Sequence, residues 1–370
     1  MEENKIKTSG SKNIPTAQNL TPTKRGLKFK SNGDGTCHLV GTGFFCEEDI
    51  VIPTEYKGNR VIGIAEKAFF ENKKLKSIVI PESVISIGEY AFSRCENLTN
   101  IKISKSVTEI GNYAFEYCAN VKKLLLGSGV KSIGKYAFYH CDGLTDILIP
   151  EGVISIGNYA FSSCRQLRNI EIPDSVTSIG SGAFSFCDDL TNIQIGNGVT
   201  SIEKIRFSGL KKLRSVVIGD GVTEIGAETF YGCPELQSVT IGKGVTRIGE
   251  RAFSSCCSLS DIIIPESAAM VIEDFGFRGC ENLTSIVLSE GITEIGNYTF
   301  AFCKRLRDLV LPKSLKSIGK FAFQYCSSLK KIHFSGTVAE WKAVRKDVYF
   351  NIEIICSDGI ILNNVITMKY

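Results

Sequence analysis

The amino-acid sequence predicts an elongated α/β leucine-rich repeat solenoid, mostly β and loop. About twelve 23-residue turns should place a parallel β-sheet on one face, with a hairpin cap at each end. Three observations predict it. Phenylalanine recurs at Phe69, Phe92, Phe115, Phe138, Phe161, Phe184, Phe207, Phe230 and Phe253, each 23 residues after the last, and again at Phe277, Phe300 and Phe323 after one extra residue near Met270. Around each phenylalanine one phrase repeats, seen cleanly from Leu144 to Cys164 as LTDILIPEGVISIGNYAFSSC. A fixed period in the range of 20–29 residues is the mark of such a solenoid. Finally, the pattern stops near both ends, where turn-rich segments take over.

The totals agree with that reading. A chain of 370 residues would ordinarily suggest two or three globular domains. In a solenoid each turn meets only its neighbours, so the array is one elongated unit. A hydrophobic content of 43% supports a continuous core, and a net charge of +4 is too mild to argue for nucleic acid or an acidic membrane as partner. No stretch approaches the ~20 apolar residues of a spanning helix. The first 25 residues hold no apolar h-region, so the sequence reads as carrying no secretory signal. An intracellular location, export by another route and a shortened chain all stay open.

Taken in order, residues 1–25 are polar and basic and read as a disordered arm. Residues 26–49 read as an N-terminal cap: two strands around Asn32-Gly33-Asp34-Gly35, a strong hairpin signal. Such a cap is needed because a bare first turn would show its core and an open strand edge to water. Residues 50–334 form the solenoid. Within a turn, Ile147 and Ile149 alternate with Leu148, so the isoleucines point inward and the leucine outward. One continuous sheet, its strands stacked at about 4.8 Å, would run roughly 55–60 Å. The pair Ile156-Gly157 is expected at a turn needing positive φ, and Pro81, Pro150, Pro173, Pro265 and Pro312 at strand ends.

Two turns break the phrase. Around Phe207 the glycine is Glu203, the small residue is Arg206 and the cysteine is Leu210. Near Phe277 the segment 268–273 carries the inserted residue. Such breaks can mark a bend, a contact point or tolerated drift, and drift or local bending is the expectation here, since stacking does not need strict repetition. Residues 335–370 read as the C-terminal cap: a capping box at Thr337 and Glu340, a short helix bearing Trp341 and Val344, and a hairpin around Ser357-Asp358-Gly359.

The phrase IPEGVISIGNYAFSSC, the opening GLKFKSNGDGTCHLVGTG, and the closing SGTVAEW followed by CSDG resemble the BspA-like leucine-rich repeat family from about Gly26 to Leu362. The resemblance implies a solenoid whose sheet is the working face. It also implies a non-enzymatic role, often as a surface or secreted adhesin binding host matrix or other cells. No wall-sorting signal or membrane anchor is visible in this sequence.

Fourteen cysteines invite a disulfide or metal reading. Ten share one repeat position: Cys95, Cys118, Cys141, Cys164, Cys187, Cys233, Cys256, Cys280, Cys303 and Cys326. The same position also accepts Asn72 and Leu210. It therefore needs a compact plug rather than a ligand. Parallel side chains about 4.8 Å apart also miss the roughly 3.8 Å Cβ separation of a disulfide. Buried free thiols are expected, favouring a reducing compartment or an anaerobic source. Cys37, Cys46, Cys257 and Cys356 lie outside the column, leaving a Cys37–Cys46 bridge in the cap open. His38, His140 and His333 sit in distant segments, and no hydrolase or metalloprotease motif occurs. No catalytic residue, cofactor site or metal site is assigned. Of the sequons at Asn97, Asn282 and Asn297, the first two arise from the repeat itself and read as structural.

The outward central row of the sheet is the candidate binding face. Its assigned members are Leu125, Leu148, Glu171, Gln194, Val217, Ile263, Val287 and Val310, with Asp146, Asn169 and Asn192 flanking. Val79, Lys102, Thr240 and His333 complete the row, and Leu125–Leu148 and Ile263–Val287–Val310 are its apolar runs. An apolar strip rimmed by polar groups suits a protein or glycan partner, while β-branched residues also favour exposed strand positions for their own sake. A second row, Tyr90, Tyr113, Tyr136, Tyr159, Tyr298 and Phe321, should pack between turns near the loops. The sequence thus points to a non-enzymatic binding module, possible adhesin included. The alternative is an intracellular interaction scaffold or self-assembling structural protein.

Overall fold

The computed structural model describes residues 22–23, 26–43, 47–266, 269–346, 352–362 and 365–368. The repeat folds as a β-solenoid of about 13 turns, with the helix Val338–Ala343 as the one α-helix among the described residues. Most turns contribute a face strand of three or four residues, such as Asn169–Ile172, and a flank strand of two, such as Ser155–Ile156. Both kinds stack in parallel ladders, so there are two sheet surfaces where the sequence predicted one. The flank ladder was hidden because two residues are too few to show alternation.

The Phe column fills the interior. Its rings stack nearly parallel with centroids 4.8–6.2 Å apart, from Phe69 to Phe323. Valines such as Val153 and leucines such as Leu167 form parallel columns, also buried. Each such side chain contributes roughly 1.5–3 kcal/mol of burial. One turn cannot enclose these residues alone, so stability comes from stacking.

Cysteine occupies its column for two reasons. The side chain is small enough to be wholly buried, and every column thiol reaches the Phe carbonyl of the preceding turn. Cys164 Sγ donates to Phe138 O at 3.3 Å and Cys326 Sγ to Phe300 O at 3.0 Å. All described cysteines are free, and Cys257 alone among them is exposed. Cys46, and with it the suggested bridge to Cys37, lies outside the described residues.

The glycine of the Ile-Gly pair has a different cause from the one expected. Gly157 does not have positive φ. A Cβ there would sit 2.6 Å from Lys135 N and 2.7 Å from the Gly134 carbonyl carbon, so the position is glycine because successive turns touch backbone to backbone. The left-handed conformation falls instead on Tyr159 (φ 55°) and Ser163 (φ 61°), and on their equivalents in most turns. Each such residue costs about 1–2 kcal/mol. The geometry lets Tyr159, Phe161 and Ser163 donate their N–H groups to Ser181, Ala183 and Ser185 of the next turn at 2.8–3.0 Å. The loop side is thereby hydrogen-bonded as continuously as a sheet.

Both irregular turns interrupt a ladder. At Glu203 a side chain replaces the glycine, and the flank ladder lapses between Ser178–Ile179 and Glu224–Ile225, leaving an isolated bridge from Ser201 to Glu224. The Phe184–Phe207 separation of 6.2 Å is the widest in the column, since the turn must stand off to admit that Cβ. At the second site the flank register steps by 24, from Ile248 to Ile272, while the preceding face strands step by 23, from Val239 to Ile262. The extra residue therefore falls after Ile263.

The caps follow their turn chemistry. Leu27–Ser31 and Thr36–Thr42 pair antiparallel and join the flank ladder through Asn59–Ile64. Gly33 and Gly35 take φ of 87° and 82° at the turn. Most of residues 1–25 lie outside the described residues, but Thr23 brackets Val51. Its N–H donates to Val51 O at 3.0 Å and its Oγ1 accepts from Val51 N at 2.9 Å. At the other end Glu340 N donates to Thr337 Oγ1 and Thr337 N to Glu340 Oε2, closing the capping box over buried Trp341. Glu353–Ile355 and Gly359–Leu362 form the expected hairpin, which a third strand, Val365–Met368, extends.

Candidate binding face

Period-two alternation places the outward row as expected. Leu148, Val287, Ile263 and Val217 are 68%, 59%, 55% and 42% exposed, between buried isoleucines and valines of the same strands or their neighbours. Leu125 and Val310 are half-buried, and Glu171, Gln194, Asp146, Asn169 and Asn192 are exposed.

Continuity is where the structure departs. Lys102, Leu125 and Leu148 stand side by side in one five-stranded sheet that begins at Asp49–Val51. Glu171, Gln194, Val217, Thr240 and Ile263 line a second. Val287, Val310 and His333 line a third, which runs on into the C-terminal cap. Leu148 does not pair with Glu171, nor Ile263 with Val287. The apolar run Ile263–Val287–Val310 is therefore split after its first member, and the single long sheet becomes three. At both breaks the inward residue loosens: Ile147 and Ile262 are half-buried where Ile101, Ile170 and Ile193 are buried.

The flanking asparagines are occupied with one another. Asn192 Nδ2 donates to Asn169 Oδ1 at 2.8 Å, and Ser215 Oγ donates to Asn192 Oδ1 at 2.7 Å. Asp146 accepts from Thr145 Oγ1 at 2.9 Å. Asp261 and Asp308, in the same flanking row, have no side-chain partner among the described residues.

The loop side holds aromatic columns, one of them foreseen. Tyr90, Tyr113, Tyr136 and Tyr159 stack at 4.6–5.0 Å. Beside them Tyr117 stacks on His140 at 4.8 Å, and Tyr139 stands perpendicular to Tyr136 and His140 at 5.3 and 4.5 Å. Sequence reasoning passed over Tyr117 and Tyr139; the 23-residue step from Tyr117 to His140 could have found the first, while Tyr139 has Glu116 and Ser162 at the equivalent positions of its neighbouring turns. Cations start these columns: Lys67 lies over Tyr90, Arg94 over Tyr117, Arg251 over Phe275 and Arg278 over Phe302, at 4.7–5.5 Å.

Burial pushes the column thiols up, to about 12 for Cys95, Cys187, Cys233 and Cys326. Those deeper in the array, such as Cys118, Cys164 and Cys280, are pushed well above their ordinary value by the same cause. Burial that favours the neutral thiol disfavours the thiolate, the form that acts as nucleophile or metal ligand. Among the described residues no group of three or more His, Cys, Asp or Glu side chains is placed to hold a metal ion, and no helix is long and apolar enough to cross a membrane.

Three comparisons bear on identity. A family model described as the BspA type leucine rich repeat region matches in six copies, over residues 62–188, 131–259 and 248–344. A search of curated proteins finds no match. Among solved structures the chain is similar to a leucine-rich repeat protein from Bacteroides ovatus, with 29% identity, a TM-score of 0.49, and coverage of 91% of this chain and 100% of that one. It is similar to a leucine rich cell surface protein from Faecalibacterium prausnitzii, with 29% identity, a TM-score of 0.43, and coverage of 90% and 99%. The pneumococcal vaccine antigen PcpA is similar at 17% identity and a TM-score of 0.42, over 91% and 98% of the two chains. None of these comparisons indicates an enzyme family. With the family model spanning well over half of its residues, the chain belongs to the BspA type leucine-rich repeat family.

Proposed function

We propose that this protein is a binding module whose outward sheet row receives a protein partner. The observation that carries the reading is the exposure of Leu148, Val217, Ile263 and Val287 along one outward row of the stacked turns. Large aliphatic side chains displayed on a fixed scaffold bind without first having to be ordered. Aliphatic groups rather than exposed ring faces also favour a protein over a glycan as partner. The finer reading, a surface adhesin, rests on the family resemblance. The test is capture of the partner by wild type and by the double variant Leu148→Glu with Val287→Lys. Lost capture at unchanged thermal stability supports the face; full capture by the folded double variant refutes it. Protease treatment of intact source cells tests the adhesin reading, which falls if the chain is cut only after lysis.

A further inference from the structure

We propose that the break between Asp261–Ile263 and Ser285–Val287 is a receiving cleft for an extended apolar peptide segment carrying a basic flank. The proposal rests on the face-binding reading and names the site and the class of partner.

Four observations meet at this place. First, the strands on either side pair outward only: Asp261–Ile263 with Ser238–Thr240, and Ser285–Val287 with Asp308–Leu311. Their facing edges have no strand partner among the described residues. Second, the two strands are tied together beyond both ends. Asn282 N donates to Cys257 O at 3.1 Å, and Ser289 Oγ to Ile264 O at 2.8 Å. The opening is thus confined to the middle, as a cleft of about 250 Å3 lined by residues 260–264, 285–287 and 289. Third, Ile263 and Val287 stand exposed on its two lips. Folded proteins usually guard a strand edge with charge, proline or a covering segment. Here the lips are aliphatic. Fourth, the lining holds a single charged side chain, Asp261, whose carboxylate is exposed and without a partner among the described residues, and Asp308 lies one strand further in the same condition.

Unpaired backbone groups flanked by aliphatic side chains are what an added strand requires. Main-chain hydrogen bonds supply affinity and alternate side chains supply specificity. The two free carboxylates at one end select a partner with a basic residue there. The turn that carries the inserted residue lies directly after Ile263, beside this break.

The test uses the full chain and the fluorescein-labelled pentapeptide Lys-Val-Ile-Val-Lys, followed by anisotropy. Its counterparts are a Glu-flanked version and one with alternate backbone amides N-methylated. The expected result is saturable binding of the basic peptide, with both counterparts at least tenfold weaker. Ile263→Asn and Asp261→Asn should each weaken it at least fivefold while circular dichroism stays unchanged. Leu148→Glu, on the same face but in another sheet, should leave it within twofold. The proposal is overturned by absent binding, by equal binding of the N-methylated or Glu-flanked peptide, or by a Leu148→Glu loss as large as that of Ile263→Asn. Absent peptide binding alongside partner capture that depends on Leu148 sinks the cleft and leaves the wider face standing.

Discussion

The cysteine column makes this fold sensitive to alkali, and the size of the effect can be worked out. A thiol exposed by unfolding loses its proton near 9, whereas Cys95, Cys187, Cys233 and Cys326 in the folded chain are pushed up to about 12. Between those values the unfolded state binds fewer protons than the folded one, so stability falls as pH rises. Below 9 both states are protonated and the contribution is fully present. Each thiol costs about 1.4 kcal/mol at pH 10 and as much again for each further pH unit up to its folded value. Four thiols together remove about 6 kcal/mol by pH 10, comparable with the 5–15 kcal/mol that holds a typical domain together. Cys118, Cys141, Cys164, Cys256, Cys280 and Cys303 are shifted in the same direction and add to the loss.

The expected behaviour is cooperative loss of β-sheet circular dichroism between about pH 9 and 11, with thiol protons released in the same step. Urea unfolding at fixed pH values, in a phosphine reductant, gives the slope of stability against pH. Replacing Cys95, Cys187, Cys233 and Cys326 by alanine should lower stability at pH 7 through the cavities created, yet flatten the slope by about four protons. Two results would refute the reasoning: thiols that ionise near 9 with the sheet intact, or a quadruple variant with an unchanged slope.

Three further expectations test the packing account. Gly157→Ala should cost about 1–3 kcal/mol in urea unfolding, because the added methyl meets the Lys135 amide and not solvent; a neutral effect would show that the turns need not touch. Phe161→Ala should cost roughly 3–5 kcal/mol and open neighbouring turns to hydrogen exchange, since its ring sits between Phe138 and Phe184 at 5.2 and 5.6 Å. Thr337→Ala should cost about 1 kcal/mol and speed amide exchange in the C-terminal cap, whereas exchange unchanged there would mean the capping box is idle.

What could be read beforehand divides along a physical line. Inward and outward sides were legible because they depend on alternation within one strand, and Ile170, Glu171 and Ile172 obey it. Whether adjacent turns hydrogen-bond depends on stacking distance, which a linear pattern does not encode. Hence the row from Val79 to His333 was visible while its breaks were not. The glycine of the Ile-Gly pair shows the same division. Its recurrence was plain, but a missing Cβ serves a left-handed turn and a close approach equally well, and only the 2.6 Å clash at Gly157 separates them. The inserted residue near Met270 was also plain in the count, and its natural reading was drift or local bending. The turn that is one residue longer keeps its Phe in the column, with Phe253 and Phe277 still 5.3 Å apart, and its face strand is unpaired with the one before, as is Asn169–Ile172 after a turn of regular length. The Phe column therefore runs through both breaks of the outward face without interruption. At the break between Ile263 and Val287 the facing strand edges lack strand partners among the described residues, and there the proposed peptide would supply pairing that the solenoid does not supply for itself.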